Sequence, residues 1–109
     1  MLEVKFRRDS RQRLSSVFAS GHTEFGTSDI DLVCAAASAI LQAAWIGLVD
    51  YAKITVEADR SAGRLHLRWA ETDRDNPALD AIIGTAEIAI NHMALQFPDN
   101  LRSIAETED

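Results

Sequence analysis

The feature that most constrains this chain is an uncharged stretch from Leu32 to Val49, in which alanine is the commonest residue. A segment of this length is too long for an ordinary strand, and alanine has the highest helix propensity. A helix that is apolar on nearly every side has to be buried, because no side of it prefers water. The stretch therefore predicts a central helix from Leu32 to Tyr51, with the rest of the chain packed around it.

The same stretch is near the lower length limit for a helix that crosses a membrane. It contains Ser38, Gln42 and Gly47, and its flanking charges are the acidic Asp31 and Asp50 rather than basic anchors. These features favour a buried helix, and we expect no membrane association. We also expect no signal peptide, because no basic region followed by an apolar run opens the chain.

Two pairs of segments with apolar–polar alternation predict β-hairpins, because successive side chains of a strand point to opposite faces. The first hairpin has predicted strands at 2–7 and 13–20, joined by a polar turn at 9–12. The second has predicted strands at 54–58 and 65–69, joined by a turn at 61–63. Hairpins pair antiparallel, so they predict a largely antiparallel sheet.

A second helix is predicted to start at Pro77, since Asp75-Asn76-Pro77 is a helix-start signal. Apolar residues at three- and four-residue steps define one buried stripe on it: Leu79, Ile82, Ile83, Ala86, Ile90, Met93 and Phe97. Pro98 ends this helix, and a short strand at 101–105 and a frayed acidic tail at 107–109 follow. The order β-β-α-β-β-α-β predicts a single α+β domain over 1–109, with both helices packed on the sheet.

The formal net charge of −6 is unlike that of a nucleic-acid-binding domain, which usually has a basic surface. Five of the eleven basic residues lie in the first hairpin, where we expect a solvated edge: Lys5, Arg7, Arg8, Arg11 and Arg13. We therefore expect no direct nucleic-acid contact and an acidic surface that attracts a basic partner.

Cys34 is the only cysteine, which excludes an internal disulfide and fits a reducing cytoplasm. Asp31 is the predicted N-cap, which makes Cys34 the third helical residue, where a helix N-terminus favours a thiolate. His22 precedes a glycine-containing loop that returns to Cys34, and an imidazole near a thiol can act as general base and acid. On chemistry alone, a small core cysteine and a surface-loop histidine remain the favoured interpretations.

The other polar residues that could take part in a reaction give weaker signals of function than Cys34 and His22. Ser38 lies one helical turn after Cys34, where its hydroxyl can bond near the thiol or to a carbonyl of its own helix. His66 and His92 are dispersed along the chain and do not have the spacing of a metal site, and no phosphate-binding motif is present. We therefore expect neither a metal nor a cofactor.

Two short segments, taken together, favour the catalytic interpretation of Cys34 and His22 over the structural one. They are Gly21-His22 and the run Asp31-Leu32-Val33-Cys34-Ala35-Ala36-Ala37-Ser38-Ala39. They closely resemble the ribosomal-processing cysteine protease family (Prp, also called YsxB-like), whose hallmark is a Gly-His pair, a glycine-containing loop and Asp-Ile-Val-Cys-Ala-Ala-x-Ser-Ala opening a helix. The resemblance continues through the second hairpin and second helix to 97–102, so it spans essentially the whole chain.

The resemblance implies a small dimeric α+β endopeptidase that removes the N-terminal extension of large-subunit ribosomal protein twenty-seven, cutting after paired aromatic residues. By position, Cys34 would be the nucleophile and His22 the general base and acid, with Gly21, Asp31 and Ser38 in supporting places. The loop between them is expected to close over the substrate peptide, with contacts from Glu24, Phe25, Gly26 and Asp29. A homodimer also follows from the first helix, which is apolar on more sides than one small sheet can cover.

The chain departs from the family pattern at two places. Ser28-Asp29-Ile30 stands where the family usually has a second glycine, so reduced loop mobility is expected, and Leu32 replaces the usual isoleucine, which is a conservative change. Two other functions stay open. One is a non-catalytic ribosome-assembly binding module of the same fold, and the other is a structural dimer with an inert core cysteine.

Overall fold

The computed structural model describes residues 1–21 and 29–108, with the backbone alone at 29–31. The strands are β1 (Leu2–Arg8), β2 (Leu14–Ser20), β3 (Val56–Ser61), β4 (Arg64–Trp69) and β5 (Leu101–Thr107), and the helices are α1 (Asp29–Ile46) and α2 (Pro77–Gln96). A π-helical turn (Gly47–Tyr51) continues α1, and a 3-10 helix (Glu71–Asp75) precedes α2. The predicted element order is confirmed.

The five strands form one mixed sheet in the order β3-β4-β2-β1-β5. The pairs β1–β2, β2–β4 and β3–β4 are antiparallel, whereas β1 and β5 are parallel. The parallel pair arises because α2 carries the chain back along the sheet before β5 begins. The α+β class with a largely antiparallel sheet is therefore confirmed.

The core lies between one face of the sheet and the two helices. The sheet contributes alternate residues, among them Val4, Phe6 and Leu67. The helices contribute stripes at three- and four-residue steps: Val33, Ala37, Leu41, Ala44 and Leu48 along α1 and its π-helical turn, and Leu79, Ile83, Ala86 and Ile90 on α2. The predicted stripe of α2 is confirmed except at its end, because Phe97 follows the helix and remains 39% exposed.

The first helix differs from its prediction at both ends. It begins at Asp29, so Asp31 lies in its first turn and is not its N-cap. Acidic residues favour the whole first turn of a helix, and the run offers two of them. At the other end the helix widens, because the Ala52 amide donates to the Gly47 carbonyl at 2.9 Å. A Cβ built on Gly47 would lie 3.5 Å from Ile82, an ordinary van der Waals distance, so the π-helical turn packs beside α2.

Two strand boundaries also differ. Lys53 has φ 58°, and the Ile54 amide donates to the Leu48 carbonyl, so β3 begins at Val56 rather than Ile54. At the other edge, β5 extends to Thr107, and the Glu108 amide donates to the Arg8 carbonyl at 2.7 Å. Pairing with β1 therefore orders a segment that was predicted to fray.

The predicted solvated edge of the first hairpin is wrong for two of its basic residues. The side chain of Arg8 is 27% exposed and makes two hydrogen bonds to Glu87 on α2, and the side chain of Arg13 is only 14% exposed. Both guanidiniums are instead held by carboxylates from distant parts of the chain, which sequence spacing does not indicate.

Two helical segments, Leu32–Tyr51 and Pro77–Gln96, are long and apolar enough by length and composition to cross a membrane. In this fold each of them supplies a buried stripe to the core between helices and sheet.

Candidate functional site

The predicted site residues divide into those that the structure describes and those that it does not. His22, Glu24, Phe25 and Gly26 lie outside the described residues, and Asp29 and Asp31 are described only as backbone. Gly21, Cys34 and Ser38 remain to define the site. The geometry therefore comes from the two chain segments that flank the predicted loop.

One end of the sheet, which we call the glycine end, brings together Met1, Gly21, Arg64 and Asn100. Ser20 pairs with both Glu3 and Arg64, and the Leu2 amide donates to the Asn100 carbonyl at 3.0 Å. The strand that carries the Gly-His pair therefore ends between the start of β1 and the start of β4.

Gly21 has a backbone that other residues rarely adopt, with φ 110°. A Cβ at this position would lie 2.1 Å from the Met1 carbonyl oxygen and 3.1 Å from the Leu2 Cα. Both contacts are with backbone, so no side-chain movement can relieve them. The residue before His22 is therefore held against β1 in a way that only glycine permits.

Helix α1 runs from the glycine end towards the opposite end of the sheet. Its start is joined to Gly21 by the seven residues 22–28, and its continuation at Gly47 contacts Ile82, near the start of α2. The end of this continuation lies at the opposite end of the sheet, because the Ile54 amide donates to the Leu48 carbonyl and Val56 then pairs with Trp69. The 18 residues of α1 rise by about 27 Å, so the helix begins towards the glycine end. Because Cys34 lies near the start of α1, the fold brings it and Gly21 to the same end of the molecule.

Cys34 is half-buried and packs against the hydrophobic core. It is the sixth residue of α1 rather than the third, as counted from Asp29. Only the first four amides of an α-helix lack an intrahelical partner, so the Cys34 amide belongs to the regular helical ladder. This amide is therefore not one of the free donors at the helix start, and the helix-terminal field at the thiol is weaker than a third helical position would give.

Ser38 lies one turn beyond Cys34 and is exposed. Residues four apart share a face of a helix, so its hydroxyl is on the side of α1 that carries the thiol. The supporting role of Ser38 that the resemblance implies stays a prediction.

The two described histidines lie elsewhere. His66 points away from the helices on β4, with its ring 5.3 Å from that of Phe18, and burial followed by the charge of Arg68 lowers its pKa. His92 is exposed on α2. Within residues 1–21 and 29–108, no group of three His, Cys, Asp or Glu side chains is placed to hold a metal ion.

An apolar groove between α1 and α2 was not indicated by the sequence motifs. It has a volume of about 600 Å³, and its walls include Ile40, Ala43, Tyr51, Ile82 and Ala89. Beside it, α1 exposes apolar side chains, with Leu32 70% and Ile46 58% accessible. The signal that could have indicated it is the apolar character of α1 on sides that the sheet does not cover.

Comparisons with known proteins point to one family. The sequence profile of the family described as cysteine protease Prp matches residues 1–102. The ribosomal processing cysteine protease Prp of Staphylococcus aureus is 28% identical over 105 residues, which cover 94% of this chain and 96% of that protein.

Solved structures share the fold. The Staphylococcus aureus protease Prp in complex with a covalently linked product peptide has a TM-score of 0.85 at 20% identity, covering 96% of this chain and 99% of that one. The protein SMU.848 of Streptococcus mutans has a TM-score of 0.84 at 21% identity, covering 99% and 96%. At these identities the structural likeness describes the fold, whereas the sequence profile carries the family.

Proposed function

Because the chain belongs to the cysteine protease Prp family and is thereby a cysteine-type endopeptidase, we propose that it removes the N-terminal extension of large-subunit ribosomal protein twenty-seven with Cys34 as nucleophile and His22 as general base and acid. We place this activity in the cytoplasm, where a lone thiol stays reduced.

The observation that carries the assignment of the nucleophile is that the sequence contains one cysteine. A cysteine protease needs a thiol, and Cys34 is the only residue that can supply it. The thiol is half-buried rather than sealed in the core, at the end of the sheet where the Gly21 backbone is fixed. A peptide can therefore approach it from the glycine end.

His22 is the histidine that best fits the second role. His66 lies on the far side of the sheet from the core against which Cys34 packs, and His92 is exposed on α2. His22 directly follows Gly21 and so starts from a fixed point at the end of the molecule that also carries Cys34. The sheet lies between His66 and the core against which Cys34 packs, which supports His22 rather than His66 for this role.

The proposed reaction has two steps. The Cys34 sulfur attacks the scissile carbonyl and forms a C–S bond, while His22 takes the thiol proton and gives it to the amine as the C–N bond breaks. Water then attacks the thioester, His22 accepts its proton, and the thiolate leaves and is reprotonated. We propose that Glu24, Phe25, Gly26 and Asp29 contact the peptide during both steps.

The net charge of −6 supports a basic substrate, because opposite charge raises the rate of encounter. The relative of this chain from Staphylococcus aureus is a ribosomal processing protease, and proteins that bind the phosphate backbone of RNA use basic residues to do so. A basic tail that follows the cleavage point fits this surface.

The test is cleavage of the N-terminal extension of the host organism's own ribosomal protein, followed by mass spectrometry. Cys34→Ala and His22→Gln should each lose cleavage, by about 10⁶-fold for the cysteine. His66→Gln and His92→Gln are matched controls and should cleave like the parent. Equal cleavage by the parent and Cys34→Ala would remove the nucleophile assignment. Slow alkylation of Cys34 with no histidine-linked pH profile, together with no cleavage, would favour a binding module.

We further propose that the protein is a homodimer whose interface covers the groove between α1 and α2. The groove is open to solvent, and Tyr51 on its wall is 83% exposed. Apolar patches of this kind are uncommon on monomers and mark interaction surfaces. Ala43 and Gly47 would let a second helix approach closely, as small residues do at helix contacts.

Light scattering at micromolar concentration tests this arrangement. The parent should have the mass of two chains, and Ala43→Glu should have the mass of one, because a charge would then be buried without a partner. Ala62→Glu introduces the same change at an exposed turn and should leave the mass unchanged. A parent of single-chain mass would contradict the proposal.

A further inference from the structure

The sheet has a second face that neither helix covers. Both helices pack against the face that carries Val4, Val17 and Leu67, and the alternate residues point the other way. The strand registers arrange these outward residues in three rows. The rows read Arg102, Glu3, Ser20, Arg64 and Ser61; Ile104, Lys5, Phe18, His66 and Asp59; and Glu106, Arg7, Ser16, Arg68 and Glu57. We call this surface the outer face.

Charge on the outer face is distributed differently from charge on the rest of the chain. The face carries five of the eleven basic residues but only four of the seventeen acidic ones. Three of those four acids lie on the edge strands β3 and β5, whereas the central strands carry Lys5, Arg7, Arg64 and Arg68. The centre of the face is therefore cationic in a chain that is acidic overall, which favours an anionic partner there.

An aromatic residue lies in the middle of this cationic centre. Phe18 is half-buried, its ring meets that of His66 edge-on at 5.3 Å, and the Arg64 guanidinium lies 5.5 Å from the ring centre. Burial and the neighbouring charge of Arg68 lower the pKa of His66, which favours the neutral ring. Aromatic rings and guanidinium planes on an open sheet are the groups on which proteins stack unpaired bases.

A polar group below the aromatic row adds a second kind of contact. Ser16 lies between Arg7 and Arg68 on neighbouring strands. It is 4% exposed, and among the described residues its Oγ has no hydrogen-bond partner. When the two arginine side chains turn towards a phosphate, this hydroxyl becomes a third donor to the phosphate oxygens.

The arginines are held at present from the edges of the sheet. Arg68 Nε lies 2.8 Å from Glu57 and its Nη2 lies 3.0 Å from Asp59, while Arg7 Nε lies 3.2 Å from Glu106. All of these groups are solvent-exposed to a large extent, and exposed ion pairs hold their partners only weakly. A phosphate can therefore compete for them, and the acids restrain binding rather than prevent it.

We propose that the outer face binds single-stranded RNA, with bases stacked on Phe18, His66 and Arg64 and phosphates held by Lys5, Arg7, Ser16 and Arg68. The acidic composition predicted no direct nucleic-acid contact, but that prediction averages the charge of the whole chain. The RNA site lies across the sheet from Cys34 and does not depend on the proposed peptidase activity.

The experiment is fluorescence anisotropy of a labelled single-stranded 12-nucleotide RNA of mixed sequence, with the full chain in 50 mM and 150 mM salt. The parent should bind, and affinity should fall as salt rises, because phosphate contacts release counterions. The double variant Arg7→Gln with Arg68→Gln should bind about tenfold or more weakly. Arg11→Gln with Arg60→Gln removes the same charge from positions off this face and should bind like the parent.

Three further variants separate the effects of base stacking and of the competing acidic side chains from the effect of net charge. Phe18→Leu keeps the apolar bulk but removes the ring and should weaken binding about fivefold or more, whereas Phe18→Tyr should preserve it. Glu57→Gln with Glu106→Gln removes one ion-pair partner from each arginine, leaving Asp59 beside Arg68 and Glu108 beside Arg7, and should tighten binding. All variants should retain peptide cleavage.

Several results would overturn the proposal. They are no anisotropy change for the parent at 50 mM salt, equal losses for the two arginine double variants, and tighter binding to duplex than to single-stranded RNA. Loss of cleavage with RNA binding intact would instead count against the peptidase site alone.

Discussion

The two ends of the sheet differ in how they are held. At the end opposite the glycine end, which we call the aspartate end, Asp9 accepts hydrogen bonds from the amides of Arg11 and Arg13 and from the side chains of Arg13 and Arg74. Arg13 also contacts Glu71 and Asp75, so the first hairpin turn is tied to the 3-10 helix before α2. At the glycine end, the constraint is the backbone contact of Gly21 with Met1.

This difference indicates that the two ends of the sheet have different roles. Charged side chains cross-link the aspartate end, where no candidate catalytic residue lies. Among residues 1–21 and 29–108, the end that carries Gly21 and Cys34 is positioned by a close backbone contact rather than by a network of charged side chains. A peptide substrate needs room beside the nucleophile, so a network like that of Asp9 would obstruct the glycine end.

The largest change in stability and cleavage is expected from Gly21→Ala. The added Cβ meets the Met1 carbonyl, and the backbone at φ 110° is unfavourable for alanine, so stability should fall by about 3 kcal/mol. Cleavage should fall as well, because His22 follows directly. Thermal unfolding and kcat/KM measured on the folded fraction check both effects.

Gly84→Ala is the matched control for that change. A Cβ on Gly84 meets nothing within 4 Å, and the residue lies inside α2, so alanine should stabilise the protein by up to about 1 kcal/mol. Similar behaviour of the two alanine variants would contradict the role assigned to the glycine end.

A smaller effect, confined to stability, is expected from Asp9→Asn. The amide loses the charge that draws together Arg13 and Arg74, so the midpoint of thermal unfolding should fall by less than for Gly21→Ala. kcat/KM at temperatures where the variant is folded should equal that of the parent. An Asp9→Asn variant that unfolds like the parent but cleaves poorly would contradict the roles assigned to the two ends of the sheet. Asp99→Asn, at an exposed position, is the control.

Acid should weaken the aspartate end in a defined pH range. Burial opposes ionisation of Asp9, but the hydrogen bonds from Arg13, Arg74 and Arg11 and the charge of Arg13 outweigh it and lower its pKa from 3.8 to about 2. A carboxyl with a lowered pKa in the folded state stabilises fully above its unfolded pKa, so this contribution should be lost as pH falls from about 4 to about 2. Denaturant unfolding across that range should show a loss of stability in the parent that is reduced in Asp9→Asn.

The smallest effect is expected from Ser38→Ala. The hydroxyl is exposed and one turn away from Cys34, so one hydrogen bond near the thiol is the most that it supplies. kcat/KM should fall less than about fivefold, which corresponds to the net value of one such bond. Ser10→Ala, at the exposed hairpin turn of the aspartate end, should change nothing. A loss of a hundredfold or more for Ser38→Ala would assign this residue a direct part in the reaction.

Local patterns determined much of the fold. Alternation identified the hairpins, three- and four-residue steps identified the buried stripe of α2, and the Asn76 side chain indeed accepts from the Ala78 amide at the start of that helix. The motif around Cys34 led to the family by resemblance, and the sequence profile confirmed it. Each of these signals lies within a few residues, because propensity, periodicity and capping are local.

Tertiary structure decided what depends on residues far apart in the chain. The start of α1 at Asp29 moves Cys34 beyond the free amides, and pairing with β1 orders β5 as far as Thr107. The burial of Arg13 depends on carboxylates that approach it only once the 3-10 helix packs beside the hairpin turn. The outer face exists because five strands from different parts of the chain align their outward residues in three rows. Periodicity showed which side chains point away from the core. The strand order decided which of them became neighbours, because pairing between strands is set by the whole fold.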